Sequence, residues 1–257
     1  LFVGLAPLIR PDFALYAAIV SATGLGHWHH WPPHLRDRDP DAMDEARRHL
    51  AREILRQEYL QWIAETQWQR AKTEAHAAGV TIFGDFPFMV SGAGPDVWVR
   101  PEEVMFDVSL GVPPDAFSAT GQDWAMPTYR WDRIRPTDFA WMRARVRRFA
   151  ALYDGCRVDH LVGLYRTYGR PLVGEPFFNP AEEPMQIAQG ESILRIFLES
   201  GMSIIAEDLG VVPPFVKASL ERIGVPGCKV LRWERHWDLP GHPFIDPTDY
   251  PARSVAM

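Results

Sequence analysis

Apolar positions along the chain first gather into a run from Phe13 to Val20, with Pro11 and Asp12 immediately before it. That pattern predicts an amphipathic helix over residues 12–22, followed by an irregular stretch from Gly24 to Pro33. From Pro40 to Ala78 the residues Leu50, Ile54, Tyr59, Trp62, Ile63 and Ala64 recur at helical spacing among Arg, Glu and Gln, and Gly79 supplies a stop at the C′ position. Beyond it the pattern alternates. Val80–Asp85 reads as a buried strand, Asp138–Tyr153 as a helix opened by Thr137 and Asp138, and Cys156–His160 as a strand. Glu191–Glu199 then reads as a helix, Ser203–Glu207 as a strand, Pro214–Ile223 as a helix and Cys228–Arg232 as a strand. Strands separated by helices at this spacing imply parallel βαβ units and an α/β fold. Residues 86–137 show little regular pattern but hold Trp98, Trp124, Tyr129 and Trp131. Ordered loops of that length are usually functional.

The 257 residues suffice for one large domain or two small ones, and 47% hydrophobic residues suit a sizeable core. The formal net charge is -6, which argues against a nucleic-acid partner. The one dense basic run, Arg143 to Arg148, is expected on a solvated helix face. No apolar stretch has the length of a membrane span. Cys156 and Cys228 lie in unrelated apolar segments, as reduced, buried thiols of a cytoplasmic protein would. The single Asn179 is followed by proline, so it forms no glycosylation sequon. The aromatic- and proline-rich composition suits ordered loops that build a binding cleft on a rigid scaffold.

Three of the predicted strands end in a carboxylate: Asp85, Asp159 and Glu207. In a (β/α)₈ barrel the C-terminal strand ends share one cleft and carry the chemistry. A single such acid is as readily a helix cap or a loop hydrogen-bond acceptor; three in succession beside an aromatic loop point to a site. Arg157 and Asp159 are two apart on a strand and share a face, where the guanidinium favours the ionised carboxylate of a nucleophile. Glu207 follows an apolar approach that disfavours ionisation and suits a general acid. Two carboxyls with environments pushed apart are what glycoside chemistry needs. The histidines His27, His29, His30 and His34 are wrongly spaced for a helix-face metal site and are interrupted by Pro32 and Pro33. No nucleophile elbow, phosphate loop or dinucleotide fingerprint is present.

Six segments in order carry a family resemblance: Ile82–Pro87, Gly111–Ser118, Thr120–Trp124, Tyr129–Asp132, Arg157–His160 and Ala206–Gly210. Together with Trp31–Arg36 and Pro226–Val230, they resemble the 4-alpha-glucanotransferases (amylomaltases, disproportionating enzymes) of glycoside hydrolase family seventy-seven. The resemblance implies a cytoplasmic enzyme, without metal or organic cofactor, that moves an α-1,4-glucan segment to the 4-hydroxyl of another glucan. By position, Asp159 matches the family nucleophile and Glu207 its acid/base. Arg157 and His160 match residues around the donor glucose, while Asp115, Gln122 and Trp124 match a sugar-lining loop and Asp85 the acid of the earlier strand. The implied mechanism is a retaining double displacement, for which the two carboxyls should stand about 5–5.5 Å apart. Core packing is the competing account of Trp98, Trp124 and Trp131, and it is expected for at least one of them.

The chain departs from the family pattern in three places. Leu161–Leu164 stands where Phe-Arg-Gly-Phe is usual, and Met126 where asparagine is common, which bears on acceptor preference; Tyr165 and Tyr168 are candidates to compensate. A third carboxylate, in a Thr-His-Asp motif, is expected after Tyr250 and Pro251, beyond Met257. The expectation is therefore an incomplete (β/α)₈ barrel lacking its N-terminal and C-terminal parts, inactive as it stands. Residues 1–78 would form a mainly helical insertion and residues 86–137 a substrate-lining loop insertion. Two other readings are a metal-dependent barrel enzyme using Asp85, Asp159 and Glu207, and a non-catalytic glucan-binding relic.

Overall fold

The computed structural model describes residues 11–114 and 118–256. Helix α1 (Pro11–Thr23) matches the first apolar run, and Gly24 ends it in the left-handed region at φ 69°. After a 3₁₀ turn at Trp28–His30 come α2 (Pro33–Arg36), α3 (Pro40–His49) and α4 (Ala51–Ala77). Asp39 caps α3 by accepting the Ala42 N–H at 3.0 Å. The long helix expected over residues 40–78 is thus two helices meeting at Leu50. Its expected end holds: Gly79 (φ 73°) donates to His76 O, and Val80 donates to Ala75 O at 2.9 Å, closing a Schellman motif.

The remaining elements are β1 (Phe83–Pro87), α5 (Pro95–Val99), β2 (Val104–Val112), β3 (Gln122–Tyr129), α6 (Trp131–Ile134) and α7 (Ala140–Leu152). They continue with β4 (Gly155–Asp159), α8 (Val162–Tyr165), β5 (Thr167–Pro171), β6 (Phe177–Asn179) and α9 (Glu183–Glu199). The last are β7 (Ser203–Ala206), α10 (Pro214–Ile223), β8 (Gly227–Lys229) and β9 (Ser254–Ala256). The fold is mixed α/β. Strands β1-β4-β7-β8-β9 form a wholly parallel sheet whose spatial order follows the chain and never reverses, unlike a doubly wound sheet. A second, antiparallel sheet has the order β3-β2-β5-β6.

Period-two alternation divides the two faces of the parallel sheet. Phe86, Cys156, Val158, Ile204 and Ala206 point to one face and are buried. There the Phe86 ring packs edge-on against Phe149 of α7 (5.2 Å) and Phe197 of α9 (4.9 Å). The approach is so close that a Cβ on Gly84 would lie 2.6 Å from the Phe149 ring, which explains a glycine inside the strand. Asp85, Arg157 and Asp159 occupy the other face.

Several expectations shift. Residues 86–137 are not an irregular loop, because they supply both strands of the β2–β3 pair. The register slips between Met105 and Ser109 and again between Ser109 and Gly111, and Pro127 sits within β3, so no alternating signal survives. Helix α9 begins at Glu183 rather than Glu191. Gly190 masks its continuity, and that glycine is needed because an added Cβ would lie 2.3 Å from the Tyr165 ring. Helix α7 begins at Ala140, since both Asp138 and Phe139 are left-handed. The basic run is only partly a solvated face: Arg143 pairs with Asp138 and Glu199, and Arg148 with Glu65 of α4. Between them the Arg145 guanidinium lies over the Phe86 and Trp141 rings. Among the described residues no helix is long and apolar enough to cross a membrane.

Candidate active site

Strand register brings the predicted acids together. Asp85 is level with Arg157 and Pro87 with Asp159, while Val158 is level with Ala206, the residue before Glu207. Asp85 therefore sits at the centre of β1 rather than at its end, because that strand runs two residues further than its apolar run suggests. Arg157 Nη2 donates to Asp85 Oδ2 at 2.7 Å and to Asp159 Oδ1 at 2.9 Å. One guanidinium thus stands between two carboxylates that would otherwise repel.

Glu207 is held differently. Its backbone N–H donates to Val158 O (3.1 Å) and its carbonyl accepts from Leu161 N (3.2 Å), which carries the β4–β7 ladder one step past the strand end. Its Oε2 accepts the backbone N–H of His160 at 2.7 Å. Burial raises the Glu207 pKa above the ordinary glutamate value, opposed by that N–H and by Arg157 and assisted by the negative charge of Asp159. The apolar approach Ile204–Ala206 foreshadowed this direction.

His160 lies at φ 45°, an uncommon conformation for a residue other than glycine. Its ring is held by Phe88 (centroids 5.4 Å apart) and meets Trp124 edge-on at 4.7 Å. Burial pulls its pKa down to about 4, so the imidazole is neutral at pH 7. Trp124, half-buried, donates its Nε1–H to Gln122 Oε1 at 3.1 Å, and Gln122 is exposed. The antiparallel sheet thereby reaches the ends of the parallel strands through Trp124.

Asp85, Arg157, Asp159, His160, Glu207, Trp124 and Gln122 are joined in this way, while Asp115 lies outside the described residues. Trp98 and Trp131 are fully buried in the core and belong to packing. Trp98 donates to Leu35 O at 3.1 Å and packs against Tyr16 and Trp31, fastening the helical segment to α5. Tyr165 does not face the site: it is fully buried, with its hydroxyl donating to Ser219 Oγ at 2.9 Å. The sequence reading missed Phe88, which holds the His160 ring; its signal was the spacing of Phe86 and Phe88 beside Asp85. Among the described residues no three His, Cys, Asp or Glu side chains are grouped to hold a metal ion. Cys156 and Cys228 are buried and unpaired, and burial pushes the Cys156 thiol up to about 12.

A family model of 4-alpha-glucanotransferases matches residues 9–257. The chain belongs to the 4-alpha-glucanotransferase family. It is 36% identical over 249 residues to the 4-alpha-glucanotransferase of Thermus thermophilus, covering 94% of this chain and 49% of that one. It is also 36% identical over 246 residues to that of Synechocystis, covering 93% and 48%. Among solved structures, amylomaltase from Streptococcus agalactiae in complex with acarbose superposes with a TM-score of 0.83 at 28% identity, over 96% of this chain and 51% of that one. The chain thus spans about half the length of the curated 4-alpha-glucanotransferases it matches.

Proposed function

We propose that the whole protein is a 4-alpha-glucanotransferase acting on malto-oligosaccharides and other α-1,4-glucans, with Asp159 as nucleophile and Glu207 as acid/base. The observation that carries this reading is the register that sets Asp159, at the end of β4, beside Glu207, one residue past the end of β7, in different environments. Neighbouring strands lie about 4.8 Å apart, close to the carboxyl separation of about 5–5.5 Å that retention requires and well short of an inverting pair. The relation to the streptococcal amylomaltase, whose structure holds acarbose, supports a glucan as ligand.

In this reading the Asp159 carboxylate, ion-paired to Arg157, attacks the anomeric carbon of the donor. The glycosidic C–O bond breaks and Glu207 gives its proton to the departing oxygen, leaving a glycosyl ester on Asp159. The Glu207 carboxylate then takes the proton of an acceptor 4-hydroxyl, whose oxygen displaces Asp159. Arg157 holds Asp85 and Asp159 in line with the donor glucose, and neutral His160 can donate to a sugar hydroxyl. Trp124 and Gln122 line the acceptor side, where orientation favours sugar over water. Because Arg157 stands between Asp85 and Asp159, the three acids do not converge on one cation.

The parallel sheet is the part of a (β/α)₈ barrel that this chain supplies. Strands in chain order, outer edges on β1 and β9 unpaired among the described residues, and an exposed Phe83 on the site face support that reading. The helices up to residue 78 and the antiparallel sheet, two of whose strands come from residues 86–137, are subdomains beside it, the second lining the substrate groove. A reducing, cytoplasmic setting suits the two buried free thiols. The test is maltotriose disproportionation by the whole protein. Asp159→Asn and Glu207→Gln should each lower it by about 10²–10⁴-fold or more; undiminished transfer by either variant removes the assignment.

A further inference from the structure

The segment carrying Glu207 is fastened to its neighbours unequally. Toward β4 it has two backbone links, through Val158 O and Leu161 N, and the His160 N–H holds the Glu207 carboxyl itself. Toward β8 the ladder has a single register pair, Ala206 with Gly227, where Ala206 N donates to Pro226 O at 2.8 Å. The next link on that side comes from a side chain: Asp208 Oδ1 accepts the backbone N–H of Cys228 at 2.8 Å. The carboxylate lies flat on the backbone of β8, so that a Cβ on Gly227 would stand 2.5 Å from Asp208 Oδ2 and 2.6 Å from Oδ1. A glycine at 227 is therefore the condition for this contact.

We infer that Asp208 is a positioning residue for Glu207, tying the chain just past the proton donor to β8 and so fixing where the Glu207 carboxyl points. The inference rests on the assignment of Glu207 as acid/base given above. Glu207 is flanked by two anchors on β8, through Ala206 before it and Asp208 after it. With the second removed, the segment pivots about its β4 links and the carboxyl leaves the departing oxygen. Displacement of a catalytic group by about 1 Å costs on the order of 100-fold in rate.

The test compares two donors in the whole protein: maltotriose, whose leaving oxygen needs a proton, and α-maltosyl fluoride, whose fluoride leaves without one. Asp208→Ala should lower kcat on maltotriose by about 100-fold with KM within about 2-fold, while glycosylation by the fluoride changes by less than about 3-fold. Asp208→Asn keeps an oxygen acceptor for the Cys228 N–H and should restore most of the activity. Gly227→Ala, which pushes the carboxylate away without altering it, should reproduce the Asp208→Ala pattern and serves if that variant does not fold. Equal loss on both donors, a rise in KM alone, or no loss overturns the inference. Glu207→Gln run in parallel separates the two layers. If the fluoride fails to rescue that variant, the acid/base assignment itself falls; if it rescues Glu207→Gln but not Asp208→Ala, only the positioning role falls.

Discussion

The backbone N–H of His160 donates to Glu207 Oε2 at 2.7 Å, so the carboxyl proposed as proton donor is aimed by the main chain that follows the proposed nucleophile. Asp159 and Glu207 are thereby coupled through one peptide unit, and the left-handed turn at His160 is part of that coupling.

Burial raises the Glu207 pKa, with a consequence for rate. Protonated Glu207 persists above the ordinary carboxylate range, so the alkaline limb of kcat/KM on maltotriose should lie above pH 4.5. The limb should vanish for glycosylation by α-maltosyl fluoride. A limb that is the same for both donors contradicts the role of Glu207.

The same shift predicts a trend in stability. The folded state binds the Glu207 proton more tightly than the unfolded chain, so its contribution is fully present below about pH 4.5 and is lost as pH rises through the raised folded value. Glu207→Gln removes this titration. Its urea midpoint relative to the wild type should therefore rise between pH 4 and pH 8; a gap independent of pH would contradict the shift.

Arg157 should matter to activity far more than to folding. Its side chain is 32% exposed and its partners Asp85 and Asp159 are 59% and 47% exposed, so the ion pairs contribute only about 0–1 kcal/mol. Arg157→Ala removes the cation whose Nη2 bridges Asp85 and Asp159. It is expected to lower kcat/KM by about 100-fold at nearly unchanged urea midpoint; a large loss of stability with activity per folded molecule retained would reverse the argument.

The tryptophans divide by burial. Trp98→Ala and Trp131→Ala remove fully buried rings and should each destabilise by about 3–5 kcal/mol. Trp124→Ala removes a half-buried ring at the site and should leave most of the stability, while lowering the ratio of transfer to hydrolysis by weakening the acceptor side. Denaturant midpoints and product analysis of the three variants check both halves.

Much of the parallel sheet was legible in the sequence, because strands buried against α7 and α9 must show apolar positions such as Cys156, Val158 and Ile204–Ala206. The site acids were legible for the same reason, since polar residues ending apolar runs stand out. The antiparallel sheet was not. Its bulges at Ser109 and Gly111 destroy the alternation, and its Pro127 reads as loop. Tyr165 was misjudged because an aromatic five residues past His160 reads equally well as lining or core; only the short helix α8 turns it inward to Ser219. Links made by a carboxylate to a distant backbone N–H leave no periodic trace at all.

Asp154 is such a link. It accepts from Ile82 N (2.7 Å) and His76 Nε2 (2.9 Å) and pairs with Lys72, fastening the end of α4 to the start of β1. These bonds, the Ile82 N–H first, hold its pKa at about 2 against an ordinary 3.8. Its stabilisation is thus present above pH 3.8 and lost as pH falls through about 2. The difference in urea midpoint between wild type and Asp154→Ala should close over that window. A difference that does not shrink between pH 4 and pH 2 would contradict it.

In the proposed mechanism Asp159 forms a covalent glycosyl ester with the donor. The whole protein would be incubated with a slowly turned over fluorinated α-maltosyl fluoride, digested, and the peptides mapped by mass spectrometry. Displacement of fluoride by the nucleophile should leave one glycosyl group on the peptide containing Arg157–His160, at Asp159, and Asp159→Asn should abolish it. Labelling of Asp85 or Glu207 instead, or turnover of the reagent with inversion and no adduct, would contradict the account.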